Sequence, residues 1–272
     1  MRKTLAAGSA AALATSGLLF AAAPASAADA TVSVLHAIPA GSGADVVDVY
    51  ANGNLLIDNF TPGTLKTVTV PAGTYLLQVS ADGQPASAAI LTLNQEVPAG
   101  ANATVAAYLT ADAKPAIKTF INSTKMSPSG QGNLTVRHIA AAPVVDILAN
   151  GAKVDALSPL ANGEEKMADL PAATYSAAVA ATGTTTPVAP TPADVPVKAG
   201  TTTIVYAWGN LGATPSTFAV ATQDVQQMPA GVPAGEAGLA DNGMFPAWAL
   251  GLMAAGALGA VVATRRLAAD RG

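Results

Sequence analysis

The sequence predicts an all-β protein: two tandem immunoglobulin-like antiparallel β-sandwiches, with an N-terminal signal peptide before them and a C-terminal single transmembrane helix after them. Three observations carry this reading. Short runs rich in Val, Ile, Thr and Tyr alternate with clusters of Gly, Pro, Asn and Asp, the pattern of strands and turns. Matched blocks recur with a spacing near 100 residues. Both ends are apolar, and arginines follow the second apolar run.

Residues 1–27 read as the signal peptide. Arg2 and Lys3 form a basic start, Thr4 to Ala23 carry no charge, and Ala25-Ser26-Ala27 supply the small-x-small site. Cleavage is expected after Ala27.

Residues 28–124 read as the first sandwich. Strands are expected near 31–37, 45–51, 54–59, 65–70, 74–81, 88–94, 103–110 and 116–122. Asn52-Gly53 between two apolar runs is the strongest short hairpin signal, because a type I′ turn needs φ > 0 at both central residues. Lys125 to Asn133 is polar and contains Pro and Gly. It reads as a linker with limited hinge motion.

Residues 134–225 read as the second sandwich. Strands are expected near 134–140, 144–149, 164–170, 174–181, 201–208 and 217–224, with Asn150-Gly151 as the matching hairpin. Pro187 to Pro196 holds four prolines and is expected as an ordered extended loop. Residues 226–243 read as a Pro/Gly-rich stalk reaching at most about 55 Å.

Met244 to Thr264 is a run of 21 residues without a charge, enough to cross a ~30 Å hydrocarbon core as a helix. Residues 265–272 carry Arg265, Arg266 and Arg271, a basic tail expected in the cytoplasm. A second reading of this end stands beside the plain anchor, which is favoured. Leu239, Ala240, Asp241, Asn242 and Gly243, with the apolar run and the arginines, are laid out like a cell-wall sorting signal. Asn242 occupies the place of the threonine that such signals carry.

The repeat is visible residue by residue. The first copy has Leu35-His36-Ala37, then Val46-Val47-Asp48-Val49-Tyr50-Ala51-Asn52-Gly53, then Pro71-Ala72-Gly73-Thr74-Tyr75. The second has Arg137-His138-Ile139, then Val144-Val145-Asp146-Ile147-Leu148-Ala149-Asn150-Gly151, then Pro171-Ala172-Ala173-Thr174-Tyr175. Val97-Pro98-Ala99-Gly100 and Val197-Lys198-Ala199-Gly200 form a third matched block. A period of this length marks whole duplicated domains rather than solenoid units.

These motifs resemble the domain-of-unknown-function family numbered 4397, over roughly 32–125 and again over 134–225. The second copy departs from the pattern at Ile139, Leu148 and Ala173, where the first has Ala37, Tyr50 and Gly73. The resemblance implies an exported, often tandem β domain of bacteria. It implies no activity.

Composition excludes several classes of function. Between Ala28 and Gly243 there are 16 acids and 8 bases, a charge of about −8. Nucleic acid is not an expected partner, because its phosphates need clustered Lys and Arg. The chain has no cysteine, which removes disulfides, thiol catalysis and thiolate metal sites. No Walker-type phosphate loop, nucleophile elbow or calcium-binding loop motif is present. The acids are scattered along the chain.

The side chains that stand out are His36, Asp48 and Tyr75, with their counterparts His138, Asp146 and Tyr175. A His–Asp pair in each copy offers a general base or part of a metal site. The favoured reading is structural. The imidazole closes a strand end, and each tyrosine bonds across its own Pro-Ala turn, like the tyrosine corner of sandwich domains. No catalytic residue, cofactor-binding residue or metal ligand is assigned, and no cofactor is expected. The expected function is that of a non-enzymatic cell-envelope protein displayed outward for adhesion, spacing or protein binding. Its expected location is the cell membrane, single-pass, or the cell wall, with the membrane and a cell-wall or protein partner as its contacts. The alternative is a surface hydrolase or metal-dependent enzyme using His36/Asp48 or His138/Asp146.

Overall fold

The computed structural model describes residues 28–188 and 192–229. The expected signal peptide with Ala27, the sorting-type motif Leu239–Gly243, the apolar run 244–264 and the basic tail lie outside the described residues. Among the described residues no helix is long and apolar enough to cross a membrane. The described residues up to Gln227 form one compact unit.

The chain is all-β. The first half contains β1 (Ala30–Ala37), β2 (Val47–Ala51), β3 (Asn54–Phe60), β4 (Leu65–Val70), β5 (Gly73–Ala81), β6 (Leu91–Val97), β7 (Asn102–Leu109) and β8 (Pro115–Ile121). The second contains β9 (Gln131–Ala141), β10 (Val145–Ala149), β11 (Ala152–Lys153), β12 (Glu164–Pro171), β13 (Ala173–Ala181), β14 (Ala193–Val197), β15 (Thr201–Asn210) and β16 (Ala219–Gln226). Two single 3₁₀ turns, Ala86–Ala88 and Asp155–Leu157, complete the described elements.

Each half is a pair of four-stranded sheets. In the first half the orders are β4-β1-β7-β8 and β3-β2-β5-β6, and in the second β12-β9-β15-β16 and β11-β10-β13-β14. The duplication is thus repeated in the topology. The expectation of purely antiparallel sandwiches is corrected at one place in each copy, because β1–β7 and β9–β15 run parallel. Parallel neighbours need a long crossover connection rather than a hairpin, and here the chain passes through the other sheet before it returns. The Asn-Gly hairpins do form. Asn52 and Gly53 have φ of 52° and 79°, and Asn150 and Gly151 have 51° and 80°, both residues left-handed as the turn requires.

Other boundaries differ from the sequence reading for local reasons. Strand β6 begins at Leu91, because residues 84–90 turn back over the outer sheet and Ser80 Oγ and Gln78 Nε2 donate to Pro85 O and Ala86 O. The Pro-rich segment expected as a loop contains β14, which pairs only with β13. Pro196 fits there because an edge strand needs no amide donor on its free side. Gln131 to Asn133, read as the end of the linker, open β9. The segment before them is tied down, with Ser127 N–H donating to Gln227 Oε1 and Ser127 Oγ to Asp169 Oδ1.

Burial shows how the layers stack. Along β1, the even positions Val32 and Val34 face the interior of their own sandwich with Val47, Val49, Leu77 and Val79. The odd positions Leu35 and Ala37 join a different cluster, with Ala106, Tyr108 and Phe120 from the first half and Ile139, Ile204, Tyr206 and Val225 from the second. The central strands β1, β7, β9 and β15 are therefore buried on both faces, and the sheets that hold them pack against each other. The second sandwich has its own core of Leu134, Val136, Ile147, Leu157, Val195 and Val205 among others.

The contact between halves has a two-fold character, in which matched residues of the repeat exchange roles. A Cβ built on Gly63 meets the Trp208 ring at 3.1 Å, and one on Gly163 meets the Tyr108 hydroxyl at 3.0 Å. Each aromatic of one half thus lies over a glycine turn of the other. At the centre Arg137 is fully buried. Its Nε donates to Glu165 Oε2 at 2.8 Å, Nη1 to Tyr206 Oη at 2.9 Å and Nη2 to Asn122 Oδ1 at 2.8 Å. The guanidinium lies 4.6 Å from the Phe120 ring centre. Tyr206 Oη in turn donates to Gln223 Oε1, and Gln223 Nε2 to Ser33 Oγ. Buried polar groups are costly unless bonded, and this network supplies partners for the guanidinium and the Tyr206 hydroxyl.

Candidate functional site

The two His motifs sit at the ends of the inner strands β1 and β9. His36 is buried, and its two nitrogens meet backbone groups. Nε2 lies 2.8 Å from Ala44 O, and Nδ1 accepts the Ile38 N–H at 3.4 Å. Because Nδ1 accepts, Nε2 carries the proton and donates to the carbonyl. The ring thus pins the loop from Ile38 to Val46 onto the strand that launches it. Phe60 packs beside it, with ring centres 5.7 Å apart. His138 repeats the first of these contacts, with Nε2 at 2.9 Å from Pro143 O, while its buried Nδ1 has no hydrogen-bond partner among the described residues.

Burial pushes the pKa of His36 below its ordinary value near 6.5, against the opposing pull of the Ala44 carbonyl and the Asp45 charge. Burial lowers His138 in the same way, against the Pro143 carbonyl. The sign of the pH effect follows. The unfolded chain takes up protons near pH 6.5 while the folded imidazoles stay neutral. Stability is therefore complete above pH 6.5 and falls as the pH drops toward the folded-state values. Each histidine contributes a slope of at most about 1.4 kcal/mol per pH unit. Urea unfolding between pH 7.5 and 5 is expected to show this loss, and His36→Gln to reduce the slope while leaving the share of His138. A profile that is level from 7.5 to 5 would contradict the assignment.

Asp48 and Asp146 start the outer-sheet strands β2 and β10. They do not pair with the histidines, which lie in the inner sheets. Asp48 is buried and accepts two backbone bonds, from Asn59 N–H to Oδ1 at 3.1 Å and from Gly83 N–H to Oδ2 at 2.9 Å. Asn59 has φ of 53°, at an irregularity in the β2–β3 pairing that Asp48 fastens. Asp146 Oδ2 accepts the Gly183 N–H at 2.8 Å, the same bond in the second copy. Tyr75 Oη donates to Pro71 O at 2.8 Å and Tyr175 Oη to Pro171 O at 2.9 Å, each closing the turn before its own strand.

The acids that the sequence scatters are partly brought together. Asp48, Asp58 and Asp82 come from β2, β3 and the turn after β5. Each offers a carboxylate oxygen within 4.8 Å of the others, with Asp58 and Asp82 exposed. In the second copy, Lys153 Nζ sits 3.4 Å from Asp146 Oδ1 and 3.9 Å from Asp155 Oδ1. Linear spacing gives no warning of this convergence, since the three residues are 10 and 24 positions apart. Arg137 was also missed. It is a lone charge inside an otherwise uncharged strand, and that was the available signal.

With the fold and these motifs placed, a comparison with known families gives one match. Residues 30–148 match the family model for a domain of unknown function, DUF4397. The DUF4397 region begins at β1 and runs into β10. It takes in His36, Asp48, Tyr75, all eight strands of the first half, and His138 and Asp146 of the second. No curated protein matches the chain.

Proposed function

We propose that this chain is an exported, non-enzymatic envelope protein that displays its paired immunoglobulin-like β-sandwiches outside the cell as one unit for adhesion or protein binding, tethered through its C-terminal apolar segment. One observation carries the non-enzymatic part. In the DUF4397 motif the two nitrogens of His36 and the two carboxylate oxygens of Asp48 are taken up by backbone groups. A general base needs a free lone pair within reach of a substrate proton; the buried His36 has none, with Nε2 protonated and Nδ1 accepting an amide, and Asp48 gives one acceptor position on each oxygen to holding a turn. The leader, the charge-free run from Met244 to Thr264 and the arginines behind it support export and tethering. Recognition then falls to the loops, which a rigid stack of sheets holds in fixed relation.

Intact cells producing the full chain supply the test. A membrane-impermeant amine reagent is expected to label exposed lysines such as Lys198 without lysis, and the isolated chain is expected to begin at Ala28. Deleting residues 28–229 while keeping the ends is expected to reduce cell adhesion. Labelling only after lysis, with Met1 still attached, would overturn the proposal.

A further inference from the structure

We propose that the first half binds one calcium ion between Asp48, Asp58 and Asp82. The inference does not rest on the display function. The geometry suits such an ion. Oxygens bound to one Ca²⁺ at about 2.4 Å lie no more than about 4.8 Å apart, and the three carboxylates meet that limit. The donor set is all oxygen, without imidazole or thiolate, which selects hard cations such as calcium. Three like charges are held together, one of them buried, and no lysine or arginine is ion-paired with them among the described residues.

The duplicated half supplies the independent observation, because there the equivalent place already holds a cation. Asp146 matches Asp48, and both fasten the glycine of the turn after the fifth strand, Gly183 and Gly83. Asn150 matches Asn52, and each side-chain oxygen accepts an amide of the facing strand, Ser176 and Leu76. In this shared frame Lys153 pairs with Leu148 where Leu55 pairs with Tyr50. Its ammonium reaches Asp146 and Asp155. At the same time the acid at Asp82 is replaced by Thr182. The second copy therefore carries one carboxylate fewer and its own positive charge at the carboxylate that the first copy surrounds with acids. The first copy takes the matching charge from solution, as the proposed calcium ion.

Equilibrium dialysis of the chelator-treated full chain in detergent, with calcium alone as probe, tests this. One ion per chain is expected, with Kd about 10⁻⁴ to 10⁻³ M. Asp58→Asn and Asp82→Asn alter exposed side chains, so circular dichroism should be unchanged while affinity falls at least about tenfold for each. Leu55→Lys should place the ammonium of the second copy in the first and abolish uptake. Asp155→Asn should leave uptake unchanged. Absence of saturable uptake up to about 10 mM calcium, or uptake retained in the Asp58→Asn/Asp82→Asn double variant, refutes the site.

Discussion

Replacing Arg137 with alanine is expected to destabilise the compact unit by about 3–5 kcal/mol, the cost of breaking a buried charge network by removing one member. Three causes act together. Asn122 Oδ1 and Tyr206 Oη lose their charged donor in a place that water does not reach. The aliphatic stem and the planar head leave a cavity against Phe120 and Tyr206. Glu165 loses its partner, although its partial exposure lets water replace the bond and keeps this share small. Arg137→Met fills the volume and is expected to cost less than the alanine change. Arg137→Lys keeps the charge but cannot reach three acceptors from one planar fork. Urea unfolding of the three variants checks the order. A loss below about 1 kcal/mol for the alanine variant would remove the network from any role in joining the halves.

Gly209→Ala is expected to cost about 2–5 kcal/mol. Gly209 lies in β15 with φ of 92°, where an alanine is strained by about 1–2 kcal/mol. A Cβ there would press directly on the Thr217 carbonyl oxygen and lie 3.2 Å from Phe218 Cα. Both obstacles are backbone, so no side chain can swing aside, and overpacking adds about 1–3 kcal/mol. The first copy explains why the glycine is there. Its matching residue, Leu109, fills the core of its own sandwich. In the second copy the returning chain crosses at Gly209, and Phe218 enters the core. Gly130→Ala is the control, with φ of 79° but nothing within 4 Å of the added carbon. It is expected to show the backbone strain alone. Equal losses for the two variants would show that the close approach at Thr217 is not felt.

The elements most legible in the sequence are those set by neighbours along the chain. The two Asn-Gly turns fix their hairpins because both residues must be left-handed. Strand β4 falls at Leu65–Val70, as its Thr/Val alternation between turns predicts. Strand β11 was invisible because two residues carry no alternation. Strand β14 was hidden by prolines that a central strand could not accept and an edge strand can. Within the motif, residue type pointed to His36 and Asp48, but which atoms they hold was not readable. Ala44, Asn59 and Gly83 reach them only through loop paths that spacing does not specify.

By itself the sequence determined the all-β character, the duplication and the positions of most strands, because turn chemistry and side-chain alternation act over a few residues. Only the tertiary structure decided that the two halves stack through their inner sheets, that β1 meets β7 and β9 meets β15 in parallel, and that Asp48, Asp58 and Asp82 converge. The physical reason is the same in each case. Alternation tells a strand which side chains share a face, but what covers that face depends on residues far away in the chain. Ser33 and Gln223, 190 positions apart and hydrogen-bonded at 2.9 Å, are joined by no local rule.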